Sequence, residues 1–361
     1  MVIQTSEGES PEGVQMAHEI TSRDDMMYIG ETPWHGLGHR LDAVATSAEA
    51  IAAANMDWRV IQTPVYTAIP KITVEDGPDT QHTVGTFDMK NVEGQLAIVR
   101  EDTSEVFAIM SDGYTPVQNT EAFEFFDALA SSGEAIYHTA GSLKGGRRVW
   151  ILAKLPGDLE IADKEKLEKY ILLANSHDGS RAFSMQMTPV RVVCNNTLSV
   201  ALEGDETQFK AKHTSNIMKR VNDARDILGL SEAYFEMFMR GVERLVDTRM
   251  TEGQMHDFSR RILGIDAKAK AEDIREPATS ALATLPVLFQ VGQGNAGENA
   301  WHAFNAVTEY VDHVRPIGRS MTTFQDRSVE VQDKRLDTAW FGMGAMLKQG
   351  AWNDLQEFAR N

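Results

Sequence analysis

The pattern of apolar and polar positions divides the chain near residue 205. Before that point short apolar runs are separated by turn residues, and from Thr214 onward a helical period dominates. The most informative stretch runs from Lys169 to Arg225. It reads as a strand, a turn at His177-Asp178-Gly179-Ser180, a second strand, and a helix entered through Asn195-Asn196-Thr197. Asp-Gly between apolar runs marks a hairpin, because the tight turns that join antiparallel strands need positive φ.

Upstream, Thr46-Ser47-Ala48-Glu49 is a capping box that opens a helix ending near Asn55. Trp58–Thr67 reads as a strand interrupted by Pro64, and Pro70–Gly85 as a polar loop or loose hairpin. Gln95–Arg100 and Val106–Met110 form a hairpin by length and pattern. A helix capped by Asn119 or Thr120 buries Phe123, Phe126 and Leu129, and strands at Ala135–Ala140 and Arg148–Leu155 flank the glycine-rich Gly141–Arg147. Amphipathic helices follow from Ser231, over Thr251–Leu263, over Glu276–Val291, from Asn299, and in the last turns before the C-terminus. The expected fold is α+β: an antiparallel sheet of hairpins with flanking helices, then a mainly helical C-terminal half. The expected division is a disordered tail over 1–15, an α+β core over 16–213 and a helical region over 214–361.

Composition narrows the class. Of the 361 residues 42% are hydrophobic and 24% charged, as in an ordinary soluble domain. No apolar run reaches bilayer length, the N-terminus lacks a basic start and apolar core, and Cys194 is the single cysteine. These features point to a reducing cytoplasm with no disulfide and no membrane. The net charge of −18 argues against indiscriminate nucleic-acid binding. Between Ala135 and Arg225, however, 14 Lys/Arg stand against 10 Asp/Glu, a net of +4, which leaves −22 for the remainder. A confined anion site inside an acidic chain is therefore open, as is a plain solvated surface.

Three constellations could carry chemistry. Lys144, Arg147, Arg148 and Arg181 sit at or beside two hairpin turns, where they could line a groove for phosphates. Exposed rings among Tyr137, Trp150 and Phe183 could then stack on bases, and a ring of subunits would make the track continuous; the bland alternative is hairpin tips kept soluble by their cations. On the helix from Asn299, His302, Asn305, Glu309 and His313 recur at three- or four-residue spacing. That row could hold a divalent metal, or be a solvent-facing stripe or an interdomain seam. His35 and His39 lie four apart in a glycine-rich loop, where no helix brings them together. His177-Asp178 could serve a nucleophile at Ser176, Ser184 or Cys194, but spacing alone establishes no contact. Neither a Gly-x-Ser-x-Gly elbow nor a phosphate-loop lysine motif is present, and Cys194 among valines reads as a small buried apolar residue. No cofactor is expected.

Several long motifs resemble a known family: MAHEI from Met16, PWHGLG from Pro33, GYTPVQNTEAFEFFDAL from Gly113 and GSLKGGRRVWILAKLP from Gly141. LLANSHDGSRAFSMQMTPVRVVCNNTLSVAL from Leu172, AWHAFNAVTEYVDH from Ala300 and AWFGMGAMLK from Ala339 extend the likeness over nearly the whole chain from Met16. They look like the phage/plasmid-like family catalogued as domain of unknown function 932. The resemblance implies a gene of mobile elements working in the host cytoplasm, and supplies no catalytic residue. The order helix, antiparallel strands, helix is also similar to the core of ring-forming single-strand annealing recombinases. By position in that layout Lys144, Arg147, Arg148, Arg181 and Arg191 would face DNA. The resulting expectation is a non-enzymatic homo-oligomer that binds single-stranded DNA. The alternatives are a metal-dependent or hydrolytic enzyme and an acidic protein that engages a host or phage partner.

Overall fold

A computed structural model of the chain describes residues 25–30, 38–42, 46–76, 81–124, 135–161, 165–191, 196–197, 209–217, 219, 231–293, 295–316, 338–340 and 342–360. The fold is α+β, as the pattern predicts, with antiparallel sheets first and helices dominating the C-terminal half.

The larger sheet has nine strands. They are β1 (Met26–Ile29), β2 (His39–Leu41), β6 (Ile136–Leu143), β7 (Arg148–Lys154), β8 (Leu159–Glu160), β9 (Lys166–Ser176), β10 (Phe183–Arg191), β11 (Asn196–Thr197) and β12 (Phe209–Ala211). The main path is β11-β10-β9-β7-β6-β1-β2, with β12 on β10 and β8 on β9. All pairings are antiparallel except β1 with β2. The hairpin predicted around Asp178-Gly179 is β9–β10, in register from Ser184 opposite Ala174 to Arg191 opposite Leu167. The helix expected from Asn196 does not begin there. Asn196 and Thr197 instead pair back onto Arg191 and Val190, which covers part of an otherwise open edge.

The smaller sheet is a meander of β3 (Val60–Asp76), β4 (Gln81–Arg100) and β5 (Val106–Ser111). Here the stretch expected as a polar loop or loose hairpin from Pro70 is a long hairpin: β3 and β4 stay paired from Tyr66 opposite Asn91 out to Asp76 opposite Gln81. Pro64 does not end the strand either; it marks a register shift before Tyr66. Proline is tolerated because β3 is an edge strand, where a missing N–H breaks no ladder on the open side.

The helices are α1 (Ser47–Ala53), α2 (Ser231–Asp247), α3 (Glu252–Ile262), α4 (Ala278–Val291), α5 (Ala300–Glu309) and α6 (Met343–Phe358), and residues 119–124 are also helical. Thr46 and Thr251 close the capping boxes of α1 and α3. Phe126 and Leu129 of the expected buried face, Cys194, His35, the N-terminal tail and the segment after Lys219 lie outside the described residues.

Most of the buried apolar side chains form one cluster that runs from Met27 through Val149, Ile151, Ile171 and Leu173 to Trp301, Phe304 and Leu355. The α+β region and the helical region thus share a core. The opposite face of the large sheet has its own smaller cluster of Met26, Leu143, Trp150, Leu152, Tyr170, Leu172 and Val190, with Trp340 packed against it. A sheet apolar on both faces explains the run RVWILAKL, which does not alternate in polarity as a half-exposed strand does. Among the described residues no helix is long and apolar enough to cross a membrane.

Candidate anion-binding site

Successive strand residues point to opposite faces of a sheet, so the neighbours Arg147 and Arg148 part company at the start of β7. Arg147 turns toward the small sheet. Its guanidinium donates to Glu105 Oε1 at 2.7 Å and to the Val106 carbonyl at 3.2 Å, and lies 5.3 Å from the Phe107 ring centre. The glycine-rich tip before it is docked in the same direction. Gly145 O accepts from Arg100 Nη1, and a side chain at Gly146 would collide with Trp58. Gly145 and Gly146 both have positive φ, which fits glycine and lets the tip press against that ring. The segment is a packing joint, with no room on the Trp58 side of Gly146 for a phosphate.

Arg148 points the other way, to the face that carries Trp150. It meets the turn between β9 and β10, where Ser180 Oγ accepts from Arg148 Nε and Nη2 at 3.2 and 3.1 Å. Asp178 Oδ1 organises that turn by accepting from Ser176 Oγ at 2.6 Å, from Ser180 N at 2.9 Å and from Ser180 Oγ. Ser176 Oγ in turn accepts from Arg181 N at 3.3 Å. Gly179 has φ +66°, and a Cβ there would strike Met110, so both conformation and space call for glycine. Burial works to raise the Asp178 carboxyl; the bonds from Ser176 and Ser180 and the Arg148 charge outweigh it and hold the group below the ordinary carboxylate range.

Arg148 and Arg181 line one depression on this face, together with Leu143, Val149, Trp150, Ala174, Asn175 and Ala182. Trp150 is edge-on to Trp340, 5.1 Å between ring centres, and its indole N–H has no hydrogen-bond partner among the described residues. Asn175 donates to the Val117 carbonyl, while its Oδ1 has no such partner either. The recess sets two arginine side chains beside a mostly apolar floor that includes Trp150, a lining that could face an anion.

The sequence-predicted cations are therefore divided. Arg148 and Arg181 come together, Arg147 and the Lys144 tip lie toward the small sheet, and Arg191 is placed only by its backbone, paired with Leu167 and Asn196. The rings expected to stack on bases are not exposed: Tyr137, Trp150 and Phe183 are each at most 2% accessible. They belong to strands buried on both faces, so that expectation is corrected.

The other constellations take different forms. His177 faces away from Ser176, fully buried between Trp58 and Phe107, with Nε2 donating to Asn119 Oδ1 at 3.0 Å. Burial first, then the neighbouring His213, push its pKa down to about 3 against a small opposing pull from Asp178. It is a neutral core histidine that contacts no serine hydroxyl, and Ser176 is held by Asp178 instead. On α5 the polar row splits up. His302 Nδ1 accepts from Glu298 N, Glu309 Oε2 accepts from Gln293 N, and Asn305 is fully buried. Among the described residues no three His, Cys, Asp or Glu side chains gather as a metal set, so His302, Glu309 and His313 are not brought together as ligands. Sequence reasoning passed over the buried pair further along: Lys348 Nζ donates to Asp312 Oδ1 at 2.5 Å with Lys348 fully buried.

Fold and site together define an α+β protein whose large antiparallel sheet is buried on both faces and carries an arginine-lined recess at one hairpin end. The chain belongs to the family described as Domain of unknown function (DUF932), which it matches over residues 106–340. The recess lies inside that span and most of the β3–β4 hairpin before it. No curated protein and no solved structure matches the chain.

Proposed function

We propose that the chain is a binding protein for phosphate-bearing ligands, which it grips one phosphoryl group at a time between Arg148 and Arg181. The observation that carries this reading is their convergence, from the start of β7 and from the β9–β10 turn, on one recess that Trp150 also lines. The phosphodiester backbone of single-stranded DNA is one source of such a group and a free phosphate is another. The engagement of Arg147 by Glu105, the buried rings and the charge of −18 all favour an isolated contact over a continuous track.

The test is fluorescence anisotropy with a labelled oligonucleotide across a salt series, with inorganic phosphate as competitor. One neutralised phosphate gives a shallow slope, about −0.7 in log affinity against log salt for a single strand. Displacement by millimolar phosphate marks the phosphoryl group itself as the determinant; resistance to it marks the polymer. A multi-cation track would show a slope several times steeper. No binding of oligonucleotide or phosphate at low salt removes the proposal.

A further inference from the structure

Behind the β9–β10 turn lies a second group of polar side chains, on the core side of the large sheet. Asn175 is paired with Val149, which belongs to the main core cluster, and His177 two residues on turns the same way. Three residues of the 115–119 segment each take one bond there. Thr115 O accepts from His213 Nδ1 at 3.2 Å, Val117 O from Asn175 Nδ2 at 3.0 Å, and Asn119 Oδ1 from His177 Nε2 at 3.0 Å. A carbonyl only accepts, so the first contact fixes the His213 proton on Nδ1. Asn119 Nδ2 donates to the Met56 carbonyl, which orients that amide and fixes the His177 proton on Nε2.

These bonds leave His213 Nε2, Asn175 Oδ1 and His177 Nδ1 as bare lone pairs. All three atoms are buried, and none has a hydrogen-bond partner among the described residues. The residues are 7%, 2% and 0% accessible. Their side chains gather about one peptide. Asn175 and His177 flank Ser176, and Tyr114, stacked on His213 with ring centres 4.9 Å apart, donates to the Ser176 carbonyl at 3.0 Å. An orphaned acceptor in a protein interior is costly, and here there are three with no donor among them. One water molecule has two hydrogens to give; a metal cation meets all three lone pairs. The donor set agrees, since imidazole nitrogen suits zinc, copper and nickel. Ligating histidines donate their other N–H to a neighbouring acceptor, as both do here. Burial keeps both rings neutral, as ligation requires, and the ionised Asp178, near enough to act on His177, offsets part of a cation's charge.

We infer that Asn175, His177 and His213 form a binding site for one divalent transition-metal ion. The test is titration of the intact chain, after dialysis against EDTA, with Zn²⁺ by calorimetry and with Co²⁺ by visible absorption. The expected result is one ion per chain. His213→Gln and Asn175→Leu should each weaken it by at least about tenfold. His302→Gln, at a half-buried histidine on α5, should leave it unchanged. Because the first two changes fall in the core, the ring ¹⁵N resonances of the unaltered protein supply a second readout. Those of His177 Nδ1 and His213 Nε2 should shift on adding Zn²⁺ and return with EDTA. No bound ion, an ion indifferent to both core variants, equal loss in His302→Gln, or ring resonances that do not move overturns the inference. Phosphate binding is read separately, so the two proposals fail independently.

Discussion

The two sheets handle the same kinds of residue in opposite ways. In the nine-stranded sheet Trp150, Tyr137 and Phe183 are buried; in the β3–β4 ribbon Tyr66 and Phe87 lie in water. The polar groups differ likewise. Those at the β9–β10 turn are held by one another, Asp178 by two serines and Arg148 by one. Those of the ribbon face outward, with Lys71 3.6 Å from Asp88. The large sheet is thus a scaffold that fixes a small recess, while the ribbon leaves large apolar side chains in water. A single substitution should therefore cost far more stability in the large sheet than in the ribbon.

The largest contrast comes from removing one ring in each. Trp150→Ala deletes a side chain packed between the sheet and Trp340 and should cost about 3–5 kcal/mol in urea denaturation. Asn119→Ala removes the acceptor of His177 and its own bond to the Met56 carbonyl, and should cost roughly 1–3 kcal/mol by the same measurement. Acidification sharpens the comparison further. The folded-state pKa of His177 is about 3 against an ordinary 6.5, so the unfolded chain binds more protons between those values. Its contribution is complete above pH 6.5 and is lost as pH falls toward 3, at up to about 1.4 kcal/mol per unit. His138 and His213, also lowered chiefly by burial, act in the same direction. Denaturation midpoints at pH 7.5, 6 and 5 check the slope, which a His177→Gln variant should flatten. Smallest is Phe87→Ala, expected to change stability by no more than about 0.5 kcal/mol by the same measurement. A loss of several kcal/mol there would mean that the ribbon is part of the core after all.

Much of the fold was legible. Asp178-Gly179 announced the β9–β10 hairpin, and the capping box at Thr46 announced a helix start. The length of the ribbon was hidden because Pro64, Pro70 and Gly85 are turn signals, whereas an edge strand accepts proline and the Thr, Val and Ile between them favour extended chain. The site was legible in half. Basic residues were sought at the hairpin turns, where Arg148 and Arg181 meet, but Arg147 was grouped with them against the alternation of a strand, which sends neighbours to opposite faces. The continuous apolar run at Val149–Ala153 also signalled a sheet covered twice, and so rings that could not stack on bases. The α5 row was left open between a metal set and a polar stripe or seam, because spacing does not encode that Glu309 and His302 are half-buried while Asn305 is wholly enclosed.

The central claim is that Arg148 and Arg181 act together on one phosphoryl group. The most direct measurement is phosphate titration by calorimetry at low salt on the intact protein and on Arg148→Ala and Arg181→Ala. The account predicts one site per chain, weakened at least tenfold by either change and no further by both, because each removes the same contact. Equal affinity in all four proteins, or losses that simply add as two separate sites would, contradicts it.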